Sequence, residues 1–396
     1  MTDQALDNSA GAIAGATTSR APARPAAAGS LIHPAVDFML VGGLSVAAAV
    51  VVFFFIENQP AALPVAALMG FVLSDFINYP HFAHSYQIMY GGIWRRILGT
   101  DAPRKVRLKY VWAGFVAPAI IAGFLLFAYL SDDARTMGLA ANGMLFFVGW
   151  HYVKQGYGVL IVLSAIRRIY YTDWEKKLLL LNGYAVWIYS WLALNDGLRE
   201  TDLFGMKFFT FGFPHEFLTT GAVVAGISTA AVLAALGHRV MIRRQPISWS
   251  GALGYGCSLY LWVIARYIDP VYAIFVPMFH SLQYLLFVWR YELNKIRCQA
   301  QAANELRPAG AAPSTRLVVP LRFAVFVALG IALGWIGFIG APDLVQRQLK
   351  PDPALWGPSV IAFMFIIWIN IHHYFIDNVI WRKDNEDVRK FLFAPR

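Results

Sequence analysis

Val360-Ile-Ala-Phe-Met-Phe-Ile-Ile-Trp-Ile-Asn-Ile-His-His-Tyr-Phe-Ile-Asp-Asn-Val-Ile380, inside an apolar stretch over 356–381, sets the problem this chain poses. At about 1.5 Å per residue such a run crosses the roughly 30 Å hydrocarbon core of a bilayer as a single helix. Yet it carries Asn370, His372, His373 and Asp377. Ionisable side chains at that depth are costly unless they face the protein interior and find a partner, so they mark a site. By i+3 and i+4 spacing, Asn370, His373 and Asp377 share one helix face.

The rest of the chain repeats the theme. Of its 396 residues 58% are hydrophobic and only 14% charged, and the mean hydropathy is +0.52, which excludes an ordinary soluble domain. The hydropathy predicts about ten spans, over 35–56, 61–88, 110–130, 138–166, 178–195, 217–237, 251–268, 271–289, 319–340 and 356–381. The net charge of +10 gathers in alternate loops, as at Arg95 and Arg96, Arg167 and Arg168, Arg243 and Arg244, Arg290, and Arg382. That alternation is the positive-inside pattern; it predicts both termini in the cytoplasm and reads the charge as topology and lipid contact, not nucleic-acid binding. The predicted fold is therefore an all-α polytopic membrane bundle. Residues 1–34 are predicted to be a disordered tail and not a signal peptide, 35–382 the membrane domain, and 383–396 a cytoplasmic tail. The connection from Arg290 to Pro320 reads as a polar loop. The Phe-rich segment from Gly197 to Glu216 reads as interfacial structure, or as a cover over an entrance. Cys257 and Cys298 make neither a disulfide framework nor a cysteine-rich metal site.

Six of the nine histidines fall in four motifs: Tyr79-Pro80-His81-Phe82-Ala83-His84, Trp150-His151-Tyr152-Val153-Lys154-Gln155, Phe279-His280-Ser281-Leu282-Gln283-Tyr284 and Asn370-Ile371-His372-His373-Tyr374. They occupy the second, fourth, eighth and tenth spans, which run in the same direction. Counted back from the following basic residues, their depths agree within roughly 9 Å along the membrane normal. One shared site is the simplest reading, and a metal is the commonest partner of several imidazoles. Each motif also brings neighbours that could orient its ring: Asp75 and Asn78 before His81, Lys154 and Gln155 after His151, Gln283 and Tyr284 after His280, Asp377 after His373. Imidazoles with few thiolates suit iron, zinc or copper, and nearby carboxylates favour non-haem iron that activates dioxygen. A di-metal centre and haem are the competing cofactors.

At these motifs the chain resembles the Brp/Blh family of integral-membrane, retinal-forming β-carotene dioxygenases, which hold iron with histidines. Pro80-His81 resembles the family's Pro-His-Gly-Ala-Leu-Asp, Trp150-His151-Tyr152 its Ile-His-Phe-Gly, Phe279-His280-Ser281 its Ile-His-Ser-x-x-His, and His372 through Asp377 its His-x-x-x-Ile-Asp. The order along the chain is preserved over about 40 residues. Tyr284 stands where the family has a second histidine, the acidic residues that end the first two family motifs are not reproduced, and His84 and His373 are extra. The resemblance implies Fe(II) on His81, His151 and His280, with His84, His372 or His373 completing the set; its alignment selects His372, whereas the helical stripe selects His373.

The expected function is a membrane-embedded non-haem iron oxygenase acting on a long apolar substrate, a carotenoid, polyisoprenoid or other lipid, with dioxygen, in a bacterial inner membrane. Lys154 and Tyr284 are assigned to proton supply or substrate contact, and Asp75, Asn78 and Asp377 to orienting the ligands. The alternatives from other classes are a proton-coupled transporter using a His/Lys154 relay and a haem-binding electron carrier.

Overall fold

Inside hydrocarbon every backbone N–H and C=O must bond within its own segment, so apolar runs of this length fold as helices. A computed structural model describes residues 29–56, 59, 61–99, 103–203, 205–265, 271–305, 315–382 and 385–393. Ten long helices follow one another where the hydropathy puts ten spans: α1 (Pro34–Ile56), α2 (Leu63–Tyr90), α3 (Arg104–Leu130), α4 (Ala134–Ile166), α5 (Asp173–Leu194), α6 (His215–Met241), α7 (Trp249–Ile264), α8 (Val271–Glu305), α9 (Leu317–Leu349) and α10 (Val360–Ile380). Eight are long and apolar enough to cross a membrane. The other two are α4, which carries His151, Lys154 and Gln155, and α7, which has 16 residues. The chain is an all-α polytopic membrane protein.

Prolines accompany several of the places where the helices depart from regularity. A widened π-turn over Trp112–Val116 lies just ahead of Pro118 in α3, and another over Ile336–Gly340 lies just ahead of Pro342 in α9. Each absorbs the missing N–H and the crowding of the preceding turn. In α2 the helix breaks at Ile77 (φ −119°, ψ −54°), and Asn78 starts a new segment with Pro80 in its first turn, where no N–H is required.

The four motif-bearing helices make a closed ring, α2 on α8, α8 on α4, α4 on α10 and α10 on α2. Burial is deepest on two helices of the ring, 72% of the apolar window of α8 and 56% of that of α10, against 17% for α6 and for α9. The outer helices turn Phe54, Phe55, Phe127, Leu130, Ile227, Leu233 and Leu321 outward, a surface that suits lipid. Small residues bring α4 against α7; a Cβ on Gly156 would sit 2.6 Å from that of Ser258.

The predicted tails and loops differ in part. Residues 1–28 lie outside the described residues, but Leu31 is buried. Its carbonyl accepts from Arg290 Nη1 (2.6 Å), and Asp37 accepts from the backbone of Leu31 (2.5 Å), Ile32 (2.9 Å) and His33 (3.3 Å). At the other end a short helix, Glu386–Leu392, docks on α8, where Arg290 Nε and Asn294 Nδ2 donate to the carbonyls of Leu392 and Phe391, each at 2.8 Å. The segment following Arg290 continues α8 to Glu305 in place of a loop, because one face of it has these two tails to bury. The Phe-rich segment contains an antiparallel hairpin, β1 (Glu200–Leu203) paired with β2 (Met206–Phe209), Glu200 opposite Phe209. Asn142 on α4 holds it by donating to Asn195 Oδ1 (2.6 Å) and to the Phe209 carbonyl (2.9 Å), while its own oxygen accepts from Trp191 Nε1 (3.1 Å) and Asn195 Nδ2 (3.1 Å). Ser359 N, just before α10, bonds the Gly205 carbonyl at 3.0 Å, so the hairpin straps α4 to α10. Replacing Asn142 with Ala strands several buried groups at once. It is expected to cost about 2–4 kcal/mol, read as a lower melting temperature in detergent.

Candidate metal centre

Each helix of the ring contributes one imidazole to its centre, and α10 adds a carboxylate. His81 (α2), His151 (α4) and His280 (α8) present nitrogens within 4.8 Å of one another, and His151, His373 and Asp377 form a second such group. The rings are in edge contact: His81 and His373 are 4.5 Å apart between centroids, His151 and His373 4.9 Å, His151 and His280 5.0 Å, His81 and His280 5.4 Å. Asp377 Oδ2 lies 3.3 Å from His373 Nε2 and 3.8 Å from His151 Nε2. All five residues are buried, none above 7% exposed.

The Nε2 atoms of His81 and His151 and both ring nitrogens of His280 and His373 are buried without a hydrogen-bond partner. An unsatisfied buried polar atom costs about 1–3 kcal/mol, so four amount to roughly 4–12, comparable with the net stability of a whole domain, about 5–15. A cation accepting one lone pair from each ring and one carboxylate oxygen removes the penalty at four of these six nitrogens. The donor set fits a metal ion.

Neighbouring side chains fix the donors. Ser281 Oγ lies 3.1 Å from His81 Nδ1 and 2.8 Å from both Asn78 Oδ1 and the Pro277 carbonyl. His81 Nδ1 thus carries the proton and donates to Ser281, which leaves Nε2 as the free lone pair aimed inward. Asp377 Oδ1 accepts from Tyr284 (2.9 Å) and Ser85 (3.1 Å), and Tyr284 accepts in turn from Trp381 Nε1 (3.1 Å). With Oδ1 doubly engaged, Oδ2 is the oxygen offered to an ion. Tyr152 stacks on His280 at 3.8 Å and Tyr374 on His151 at 4.6 Å, so ring orientation is also held by packing.

The structure thus brings together His81, His151, His280, His373, Asp377 and Tyr284, with Asn78 one bond further out. It does not bring in the remaining predicted residues. His372 turns away and is satisfied, with Tyr86 Oη 2.8 Å from Nδ1 and the Ala113 carbonyl 2.9 Å from Nε2. His84 stacks on Phe326 of α9 at 4.4 Å and bonds Gln87 Oε1 at 2.6 Å. Lys154 is exposed, its ammonium 5.2 Å from the centre of the Tyr184 ring, as expected of a cation that snorkels. Asp75, partly exposed on the far side of the break in α2, joins no group of converging ligand atoms among the described residues. His215 pairs with Asp196 at 3.2 Å on the surface. Ser85, Trp381, Tyr152 and Tyr374 are members of the site that the motifs do not single out. Comparison with protein-family models, curated proteins and solved structures finds no match to this chain.

The hydroxyl of Ser281 gives a direct check. Ser281→Ala removes the acceptor that sets the His81 tautomer, and metal affinity is expected to fall by about 10–100-fold while the protein still folds. Competition with a chelator indicator reads the change.

Proposed function

We propose that this protein is a membrane-embedded, non-haem iron oxygenase acting on a long apolar substrate. One observation carries the reading: two buried groups of converging ligand atoms, His81 with His151 and His280, and His151 with His373 and Asp377, share His151 at the centre of the helix ring. Because His151 Nε2 is the atom left free and His151 belongs to both groups, one ion rather than two is the natural occupant. Four nitrogens and one carboxylate exceed the tetrahedral set that structural zinc prefers, and they suit iron with a position left open. Haem is disfavoured because the imidazoles touch edge to edge and leave no plane for a macrocycle. The proton-relay alternative loses its cation, since Lys154 faces outward.

Iron in such a site supplies dioxygen binding and its partial reduction. The chain's own residues do the rest. Ser281 holds the proton of His81 at Nδ1, and Tyr284 with Ser85 engages Asp377 Oδ1 and leaves Oδ2 turned to the centre. An apolar cleft of about 580 Å³ opens between α3, α4 and α10, lined by Phe124, Gly143, Phe147, Ile367, Ile371 and Phe375 among others. Phe147 sits one turn before His151, while Ile371 and Phe375, two residues either side of His373, line the cleft from the opposite face of α10, so a chain lying there runs along the outer side of the α4–α10 pair, one helix turn from His151. Substrate would arrive laterally from the bilayer, be oriented by these walls, and react where bulk water is excluded. The Brp/Blh resemblance supports a carotenoid or other polyisoprenoid. The basic clusters support a bacterial plasma membrane with both termini cytoplasmic.

The test is elemental analysis with absorption and EPR spectra of detergent-purified protein. The reading expects about one iron per chain and no Soret band. Stripping the ion with a chelator is expected to lower thermal stability, and restoring iron at 100 times its Kd to return about 2.7 kcal/mol. Metal-free protein whose melting is indifferent to added iron overturns the proposal.

A further inference from the structure

Tyr284 and Trp381 begin a line of oxidisable rings that leaves the centre and runs toward the end of the molecule where the two tails dock. The Tyr284 ring lies edge-on to two proposed ligands, 4.6 Å from His81 and 5.7 Å from His373, and its hydroxyl bonds the carboxylate of a third. Trp381 donates to that hydroxyl, with its ring 5.8 Å away. Tyr291, two helical turns beyond Tyr284 on the same face of α8, lies 5.8 Å from Trp381. Beyond Tyr291 the surface carries cations paired with carboxylates, Lys295 with Glu292 at 3.0 Å and Arg96 with Asp387. Lys295 Nζ sits 5.9 Å over the Tyr291 ring, and Arg95 is 79% exposed nearby, at the edge of the docked helix Glu386–Leu392, where it faces Asp387. Phenol and indole are the side chains that lose and regain single electrons most readily, and a fixed hydrogen bond gives the phenol proton a place to go.

We infer that Tyr284, Trp381 and Tyr291 form a relay carrying single electrons from that end of the molecule to the metal centre. This rests on the iron reading above. It also implies a one-electron donor, a carrier of the flavin or iron–sulfur class outside this chain. In the step, Tyr284 gives one electron to the oxidised centre and its hydroxyl proton to Asp377 Oδ1. Trp381 refills Tyr284, the proton returns from Asp377, Tyr291 refills Trp381 while releasing its own hydroxyl proton to water, and the carrier refills Tyr291 as that proton is retaken. The net change is one electron lost by the carrier and one gained by the centre. A protein so wired takes electrons from outside itself, as an oxygenase that puts only one oxygen atom into its substrate must.

The relay can be run in reverse without substrate or turnover. Cys298, half-buried seven residues after Tyr291 on α8, accepts a ruthenium bipyridyl label, whereas Cys257 is buried inside α7. Flash-quench oxidation of the label in ferrous protein then draws an electron from the iron, and the recovery of ruthenium(III) gives the rate. Trp381→Phe and Tyr291→Phe are expected to slow recovery by at least about tenfold, a barrier increase of about 1.4 kcal/mol. Trp262→Phe, on the opposite aromatic branch 6.0 Å from Tyr152, is expected to leave it unchanged. Recovery as fast in both relay variants as in the parent protein, with iron content equal, overturns the relay and leaves the iron reading intact. Absence of iron from the parent protein, seen by elemental analysis before any flash, overturns both.

Discussion

His151→Ala is expected to remove both bound metal and turnover, with the affinity for iron falling by more than about a hundredfold, beyond the loss typical of an outer-shell partner. His151 is the residue shared by the two groups of converging ligand atoms, so its loss leaves neither group intact. The stability readout separates this from damage to the fold. In metal-free protein the substitution deletes an unpartnered buried nitrogen, worth about 1–3 kcal/mol, and opens a cavity that costs a similar amount, so the apo melting temperature should move little. What disappears is the increment that iron adds. His372→Ala, on the neighbouring residue, is expected to behave in the opposite way. It strands the Tyr86 hydroxyl and the Ala113 carbonyl, so stability falls by about 1–3 kcal/mol in apo and loaded protein alike, while stoichiometric iron is retained. Elemental analysis and melting curves on the two variants decide the matter. Iron retained by His151→Ala, or lost from His372→Ala, contradicts the assignment.

The ten helices were legible because hydrocarbon leaves a backbone of this composition no alternative. The site was legible in outline, and its errors have one geometric cause. Residues four apart on a helix differ by about 40° in azimuth, and residues three apart by about 60° in the other direction. In the ring, the inward face falls on the i+4 side of each central histidine. Ser85 after His81, Gln155 after His151, Tyr284 after His280 and Asp377 after His373 all turn inward. Ser85, Tyr284 and Asp377 bond one another, and Gln155 bonds the His280 carbonyl at 2.8 Å. The i+3 residues turn elsewhere, His84 to α9, Lys154 to Tyr184, and Gln283 to the carbonyls of Val41 and Gly254. A stripe in steps of three, such as Asp75, Asn78, His81 and His84, therefore winds off the inward face, and the break at Ile77 cuts it besides. The choice of His373 over His372 came out of the stripe with Asp377, an i+4 pair, and not out of the motif alignment. Trp381 could not be found this way, because it lies past the end of α10 and enters the site only through its hydrogen bond to Tyr284 on α8.

Gly143→Trp is expected to cut turnover on a long apolar substrate by about a hundredfold or more while leaving the iron in place. Gly143 lies on α4 in the wall of the cleft, and a Cβ built there meets nothing within 4 Å, so the indole can grow into open space without pushing the backbone. An indole in a cleft of about 580 Å³ leaves too little room for a polyene chain to lie beside Phe147 and Ile371. Because Gly143 touches none of the ligand residues, metal content and the EPR spectrum of the resting protein should match those of the parent. The effect of size is graded: Gly143→Ala should be nearly silent, and Gly143→Leu intermediate. Gly226→Trp supplies the control, since that glycine also faces open space but lies on α6, away from the cleft. A parallel loss in both Trp variants would point to a general disturbance of the membrane surface. Full turnover in Gly143→Trp would mean that substrate reaches the iron by another face of the ring, and the next face to block is the one between α2 and α10, where Phe82 and Phe338 close over His373.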